Sequence, residues 1–176
     1  MLKTILCATD GSDHAQKALE WSSELAVKYD AALIVLFVTP HRSAPPELRR
    51  MAEIEHIVEP KTPAPPDAIA QSVAPSGATA EALRESAASS ATIYREIGQR
   101  VVEGGKFLAE SRGVAKVTAL VEDGDPAHQI IEAAKRHGAD LIVMGRRGVG
   151  DLKGLLLGSV SHKVAQLASC ACLTVE

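Results

Sequence analysis

Short apolar runs alternate with amphipathic segments along most of this chain, and this alternation limits the folds that it can adopt. Strands are predicted at Lys3–Thr9, at Ala31–Thr39 and in the runs VAKVTALVEDG, DLIVMG and CACLTVE. The second run lacks polar alternation, which is typical of a strand buried on both faces. Strands that alternate with helices predict an open, Rossmann-like, five-stranded parallel sheet with helices on both faces and strand order 3-2-1-4-5.

Local signals mark the ends of the predicted helices. Asp13 is predicted to cap a helix that runs to about Tyr29, with Gln16 completing a capping box. A later helix begins at the N-cap Asp125 with Pro126 in its first turn, and Gly138 lies just past its end. Two further helices are predicted over 81–111 and 159–168; in the first, Ile93, Ile97, Val101 and Leu108 are spaced for burial.

A proline-rich segment interrupts this pattern. Eight of the nine prolines fall between Pro40 and Pro75, which excludes a continuous helix or strand there. We expect residues 1–176 to form a single domain with a Pro/Ala-rich insertion at about 40–91. A short helix in the insertion would present an apolar side to a protein partner, and the stretch 60–82 is predicted to be a flexible loop or a lid over the site. That apolar side consists of Leu48, Met51, Ile54 and Val58.

Composition and charge exclude several classes of partner. The net charge is −3 and no long basic run is present, which argues against nucleic acid. No stretch approaches the roughly 20 apolar residues that span a bilayer, and the first residues do not resemble a signal peptide. We therefore expect a cytoplasmic protein without membrane insertion. Cys7, Cys170 and Cys172 are predicted to be reduced and buried, and not to form a metal site.

The stretch VMGRRGVGDLKGLLLGSVSHKV is rich in glycine and connects the fourth strand to the last helix. Gly145 and Gly148 follow the strand, and Gly158 and Ser159 open the helix. Glycine lets backbone N–H groups approach an anion, and a helix N-terminus presents further N–H groups. With the hydroxyls of Ser159 and Ser161 and the charges of Arg146, Arg147 and Lys153, these residues predict a phosphate cradle; a plain surface loop is the alternative.

Residues after the first three strands are candidates for the other parts of such a site. Asp10 can accept hydrogen bonds from a ribose hydroxyl or an adenine amine, or it can serve only the turn. Val38 and Met144 end the second and fourth strands, where they can sandwich a base or belong to the core. Glu122, Asp123 and Asp125 are weak candidates for Mg²⁺, since Asp125 is already a cap. The single histidines His14, His128, His137 and His162 are predicted to lie on the surface.

Other catalytic and nucleotide-binding patterns are missing. The sequence contains no G-x-x-x-x-G-K-[ST], and the first strand ends in TDGSDHA rather than G-x-G-x-x-G. No spacing indicates a Ser–His–Asp or Cys–His set. We therefore predict no catalytic residue and no protein ligands for a metal.

The first 25 or so residues, the segment from Gly124 to Cys170 and the final strand resemble the universal stress protein family. The most specific element is G-x2-G-x9-G-[ST], formed by Gly145, Gly148, Gly158 and Ser159. In that family this pattern marks the branch that binds ATP. The resemblance implies a homodimer joined through the last strand, although CACLTVE lacks the family's usual proline. It also implies ATP, with or without Mg²⁺, at the nucleotide-binding residues Ala8, Thr9, Asp10, Val38, Met144, Gly145, Arg147, Gly148, Gly158, Ser159, Val160 and Ser161.

Three functions fit these expectations. The preferred one is an ATP-binding regulatory protein of the stress response, with little or slow turnover. The second is a slow ATPase or an autophosphorylating enzyme with Ser159 or Ser161 as acceptor, for which no base to orient a nucleophile is evident. The third is a nucleotide-independent module that binds another protein through the insertion.

Overall fold

The computed structural model describes residues 1–39, 76–148 and 158–176, with the helix backbone alone over 76–87. Within these ranges strands and helices alternate. In order they are β1 (Thr4–Ala8), α1 (Asp13–Tyr29), β2 (Ala32–Thr39), α2 (Ser76–Ser111), β3 (Val117–Asp123), α3 (Pro126–Arg136), β4 (Leu141–Gly145), α4 (Ser159–Leu167) and β5 (Ala171–Val175).

The strands form one parallel sheet in the order β3-β2-β1-β4-β5, which confirms the predicted fold class. β1 is central: its Cys7 is in register with Val35 of β2 and with Val143 of β4. The chain winds outward from β1 in both directions, so the loops after β1 and β4 leave the same edge side by side. In such sheets ligands bind at this point beyond the carboxyl ends of the strands.

Alternate strand residues divide the core into two layers, one on each face of the sheet. On one face Ile5, Cys7 and Val35 pack against α1 and α2 through residues such as Leu19 and Val102. On the other face the strand residues pack against α3 and α4 through helix residues such as Ile130, Ala134 and Val164; these strand residues are Leu6, Ala8, Leu36, Ile142 and Met144. The period of two in the strands therefore explains why both faces need helical cover.

The signals at the helix ends were predicted correctly for α3 and incorrectly for α1. Asp125 caps α3 by accepting a hydrogen bond from the N–H of His128, and Gly138 follows the helix with φ +60°. In α1 the N-cap is Ser12, whose hydroxyl accepts from the N–H of Ala15. Asp13 is already helical, which places Gln16 one residue too late for a capping box.

Helix α2 begins earlier than predicted and packs on a different line of residues. It starts at Ser76 rather than Glu81, so the predicted loop over 60–82 is wrong for its last seven residues. Ile93 is fully buried as predicted, but Ile97, Val101 and Leu108 are only half-buried, and Val102 and Ala109 are fully buried in their place. The helix approaches β2 at Gly98, where a Cβ would lie 2.6 Å from Phe37 Cδ1. Glycine positions therefore help to determine which side of α2 faces β2, and the spacing of the apolar residues alone did not show this.

Contacts divide the chain into two compact units. One contains Met1–Pro40 and Ile97–Glu176 and holds the sheet; the other contains His41–Glu96, in which Ile93 of α2 is fully buried. The predicted short helix over 48–58 lies outside the described residues, and the single domain stays a prediction. None of the described helices has the length and apolar character needed to cross a membrane.

Candidate functional site

Two tight turns carry the chain from β1 into α1. The N–H of Thr9 donates to the carbonyl of Leu36 (2.8 Å), which anchors the loop to β2. The N–H of Gly11 then donates to Thr9 Oγ1 (3.2 Å), and the N–H of Ser12 donates to Asp10 Oδ1 (3.1 Å). Asp10 is thereby held at the surface beyond the carboxyl end of β1, where its side chain is exposed.

The β1 and β4 loops meet at Asp10 and Gly148, as the strand order predicted. A Cβ on Gly148 would overlap Asp10 Oδ2, well inside van der Waals contact. Gly145 is enclosed by backbone instead: its Cβ would lie 2.9 Å from the carbonyl oxygen of Arg147 and 3.0 Å from the nitrogen of Ala15. Both positions exclude a side chain because of close approach, so the two glycines bring the β4 loop against the start of α1.

The far end of the glycine-rich loop is fixed where α4 begins. The N–H of Gly158 donates to the carbonyl of Arg146 (2.9 Å), and Ser161 Oγ donates to that carbonyl (2.8 Å) and to the carbonyl of Gly158 (3.0 Å). Ser161 is buried and its hydroxyl serves these contacts, whereas Ser159 is exposed. Gly158 is the N-cap of α4 and supplies no side-chain cap. Residues 149–157, including Lys153, lie outside the described residues.

Apolar residues form the side of the site under the loops. Ala8 and Met144 are buried in the core layer that packs against α3 and α4, and Met144 is only 3% exposed. Val38 and Val160 pack against the same layer but are half-buried. The two strand-end residues therefore differ: Met144 belongs to the core, whereas Val38 keeps accessible apolar surface, as does Val160 of α4.

The acidic residues at the end of β3 and just after it all have partners within the protein. Asp125 pairs with Lys163 (3.1 Å), and the bond from the His128 N–H followed by the Lys163 contact holds the Asp125 pKa below its usual value. Glu122 pairs with Arg136 (2.9 Å), and Asp123 accepts a hydrogen bond from the Thr39 hydroxyl. In the part of the chain that the structure describes, no three His, Cys, Asp or Glu side chains are arranged to hold a metal ion.

The remaining candidate side chains lie as follows. His128, His137 and His162 are exposed as predicted, but His14 is half-buried beside Gly145, with its Nδ1 lacking a partner among the described residues. Cys7, Cys170 and Cys172 are free thiols; Cys7 is fully buried, and the other two are half-buried rather than buried. Burial raises the pKa of all three thiols.

Sequence reasoning missed the structural part played by Arg146 and Glu176. The Arg146 N–H donates to the carbonyl of Val175 (2.6 Å), and its guanidinium pairs with the Glu176 carboxylate. Arg146 was recognised only as a local positive charge, and nothing near Glu176 in the sequence indicates a partner thirty positions away. Only the adjacency of β4 and β5 brings the two residues together.

Comparison with known proteins agrees with this architecture. A model of the universal stress protein family matches residues 1–176. The chain belongs to the universal stress protein family. Among curated relatives, universal stress protein YxiE from Bacillus subtilis is 34% identical over 176 residues, which covers all of both chains.

Solved structures show the same fold. Universal stress protein UspA from Lactobacillus plantarum is 20% identical with a TM-score of 0.67, over 99% of this chain and 97% of that one. A universal stress protein in complex with cAMP is 21% identical with a TM-score of 0.61, and the match covers 99% of this chain and 97% of that one. A universal stress protein from Archaeoglobus fulgidus in complex with dAMP is 14% identical with a TM-score of 0.54, and the match covers 100% of this chain and 98% of that one.

Proposed function

We propose that this universal stress protein binds an adenine nucleotide, ATP by preference, beyond the carboxyl ends of β1, β2 and β4. The observation that carries the proposal is the contact between the Asp10 carboxylate and the backbone of Gly148. It joins a side chain that accepts hydrogen bonds from a ribose hydroxyl or an adenine amine to a loop with the glycines needed for close approach to phosphate. Thr9 and Gly145 would line the ribose between them.

The phosphates would lie at the start of α4. Gly158 gives the first turn of this helix no side-chain cap, so the N–H groups of that turn would serve an anion, and the helix dipole favours negative charge there. Gly148, Ser159, Val160 and Arg147 would surround the phosphates. Ser161 would act differently from the prediction, because its hydroxyl braces the loop through the carbonyls of Arg146 and Gly158.

The base would rest on the accessible apolar surface of Val38 and Val160. Two universal stress proteins of the same fold have been solved with cAMP and with dAMP, which supports an adenine nucleotide as the ligand class here. The more specific proposal, that the ligand is a triphosphate accompanied by Mg²⁺, is based on the glycine pattern. With no metal-ligating cluster among the described side chains, the phosphates themselves would supply most of the Mg²⁺ ligands.

We propose a regulatory role in the stress response rather than rapid turnover. Ser161 is a poor phosphate acceptor because it is buried and its hydroxyl donates to two carbonyls. Ser159 is exposed, and none of the histidines that we describe hydrogen-bonds to it as a base. Regulation requires that bound and empty states differ in affinity for a partner. A homodimer through β5, a cytoplasmic location and a partner for the insertion belong to the same proposal.

Calorimetric titration with ATP tests this function. Wild-type protein and Gly104→Ala should bind one ATP per chain, because a Cβ on Gly104 of α2 meets no atom within 4 Å. Gly148→Ala should bind at least tenfold more weakly, since its Cβ displaces the Asp10 carboxylate. Equal affinity in all three proteins would contradict the proposed site. ADP accumulation with Mg²⁺ at a rate that exceeds the buffer blank would favour the slow enzyme instead.

A further inference from the structure

Arg146 lies where three parts of the chain meet. It follows β4 directly, its N–H donates to Val175 at the end of β5, and its carbonyl accepts from Gly158 and Ser161 at the start of α4. The backbone N–H and C=O of this single residue thus connect the edge strand to the loop end that would surround the phosphates. Displacement of this carbonyl would move the first turn of α4 with it.

The side chain of Arg146 is held by one described partner. Its guanidinium pairs with Glu176 through Nη2, and only 24% of the Arg146 side chain is exposed. The Nε atom is buried and has no acceptor among the described residues. The Glu176 side chain is 67% exposed, so water partly screens this ion pair. Loss of its carboxylate would still leave the half-buried guanidinium without its described acceptor, which is costly, so the position of the Arg146 side chain depends on Glu176.

We propose that Arg146 is a positioning residue for the phosphate half of the nucleotide site, and that Glu176 holds it in place. The inference rests on the proposed function, because it concerns the same site. Fixing the guanidinium beside β5 fixes the Arg146 carbonyl, and this carbonyl sets the position of Gly158 and Ser161. The edge strand therefore influences phosphate binding without touching the ligand.

The nucleoside half of the site should not depend on this ion pair. Asp10 is held by its own turn through Ser12, and Thr9 is anchored to Leu36 of β2. Val38 is part of β2. A ligand that lacks phosphates would therefore not sense the loss of Glu176, whereas a nucleoside triphosphate would. This difference separates positioning from a general effect on folding.

The test compares ATP with adenosine in Glu176→Gln. We expect the Kd for ATP to rise about three- to tenfold, the loss expected when one partly exposed, charge-assisted hydrogen bond no longer positions the loop. The Kd for adenosine should change less than about twofold, and Arg146→Lys should give an intermediate Kd for ATP. Glu20→Gln is the matched control: it removes the ion pair (2.9 Å) between Glu20 of α1 and Arg112, the residue after α2. Both affinities should stay at the wild-type values.

Amide hydrogen exchange of the nucleotide-free protein gives a readout that does not need a ligand. The Gly158 amide should exchange faster in Glu176→Gln than in wild type and in Glu20→Gln, because its acceptor is the Arg146 carbonyl. Unchanged ATP affinity, an equal loss for ATP and adenosine, or unchanged exchange at Gly158 would overturn the inference. Wild-type protein that binds neither ligand would refute the proposed function. The exchange rate of the Gly158 amide would then be the sole test of whether the Arg146–Glu176 pair positions the start of α4.

Discussion

The carboxylate of Asp10 occupies the space that a side chain at position 148 would need. Gly148 therefore contacts Asp10 through its bare backbone, and the loops after β1 and β4 close against each other. The strand order brings these loops to one edge, but the absence of a Cβ lets them touch. Gly145 excludes a side chain for a different reason, since the atoms around it belong largely to backbone.

Gly148→Ala and Gly145→Ala should consequently fail in different ways. In Gly148→Ala the Asp10 carboxylate can rotate away, so the free energy of unfolding should change by less than about 0.5 kcal/mol while nucleotide affinity falls. Gly145→Ala forces the Arg147 carbonyl and the start of α1 apart, and should destabilise the protein by about 1–3 kcal/mol. Urea denaturation followed by circular dichroism measures both. Equal destabilisation by the two variants would contradict the assigned contacts.

Neighbouring glycines in α2 give a second matched pair. Gly104→Ala should raise the free energy of unfolding by about 0.4–1 kcal/mol, because alanine favours the helix and nothing lies within 4 Å of the new Cβ. Gly105→Ala should lower it by about 1–3 kcal/mol, since its Cβ would lie 3.0 Å from Val35 Cγ1 and 3.3 Å from Leu19 Cδ2. Thermal denaturation of both variants provides the check. Stabilisation by Gly105→Ala would show that α2 does not pack on β2 through this residue.

Cys7 should make the protein less stable in alkali. Burial raises its pKa from 9.0 to about 12, so the folded protein keeps the proton that the unfolded chain releases. The resulting stability is complete below pH 9 and is lost as the pH rises from 9 to about 12. Cys7→Ala removes this loss but adds a constant cavity cost. The difference in unfolding free energy between the variant and the wild type should therefore shrink as the pH rises from 9 to about 12. A difference that stays constant over this pH range would contradict the role of the Cys7 thiol.

Asp125 should stabilise α3 only while it is ionised. Its hydrogen bond from the His128 N–H and its contact with Lys163 lower its pKa from 3.8, so its stabilisation is present above that pH and is lost as the pH falls. Asp125→Ala should cost about 0.5–2 kcal/mol at neutral pH and less in acid. Asp125→Asn keeps a capping oxygen and should cost less. Denaturation at pH 7 and pH 3 measures the effect, and an equal cost at both would refute the role of the charge.

Much of the fold follows from local patterns in the sequence. The alternation of apolar runs predicted five parallel strands, and the signals at Asp125, Pro126 and Gly138 gave the correct ends of α3. These features depend on neighbours within one helix or strand. The start of α2 and its buried line were missed because they depend on contacts with β2, where Gly98 meets Phe37. Ser12 was overlooked as a cap because Asp13, the next residue, is an equally good candidate by type.

In the candidate site, too, some features follow from local sequence and others depend on contacts between distant parts of the chain. The glycine spacing and Asp10 marked two loops that the fold then brought together, so the meeting of Asp10 with Gly148 was predictable from strand order. The pairing of Arg146 with Glu176 was not, because it depends on the register of β4 and β5 and on the direction of two side chains. The burial of Met144 and Ser161 likewise depends on how α4 packs, which residue type alone does not fix.

The most direct test is to denature freshly purified protein, identify any released nucleotide by mass spectrometry, and then titrate the emptied, refolded protein with ATP. Our account predicts an adenine nucleotide in the first step or one ATP per chain in the second, with binding weakened at least tenfold by Gly148→Ala. A protein that releases no nucleotide and binds no added ATP would contradict it. The glycine-rich loop would then be only a connection between β4 and α4.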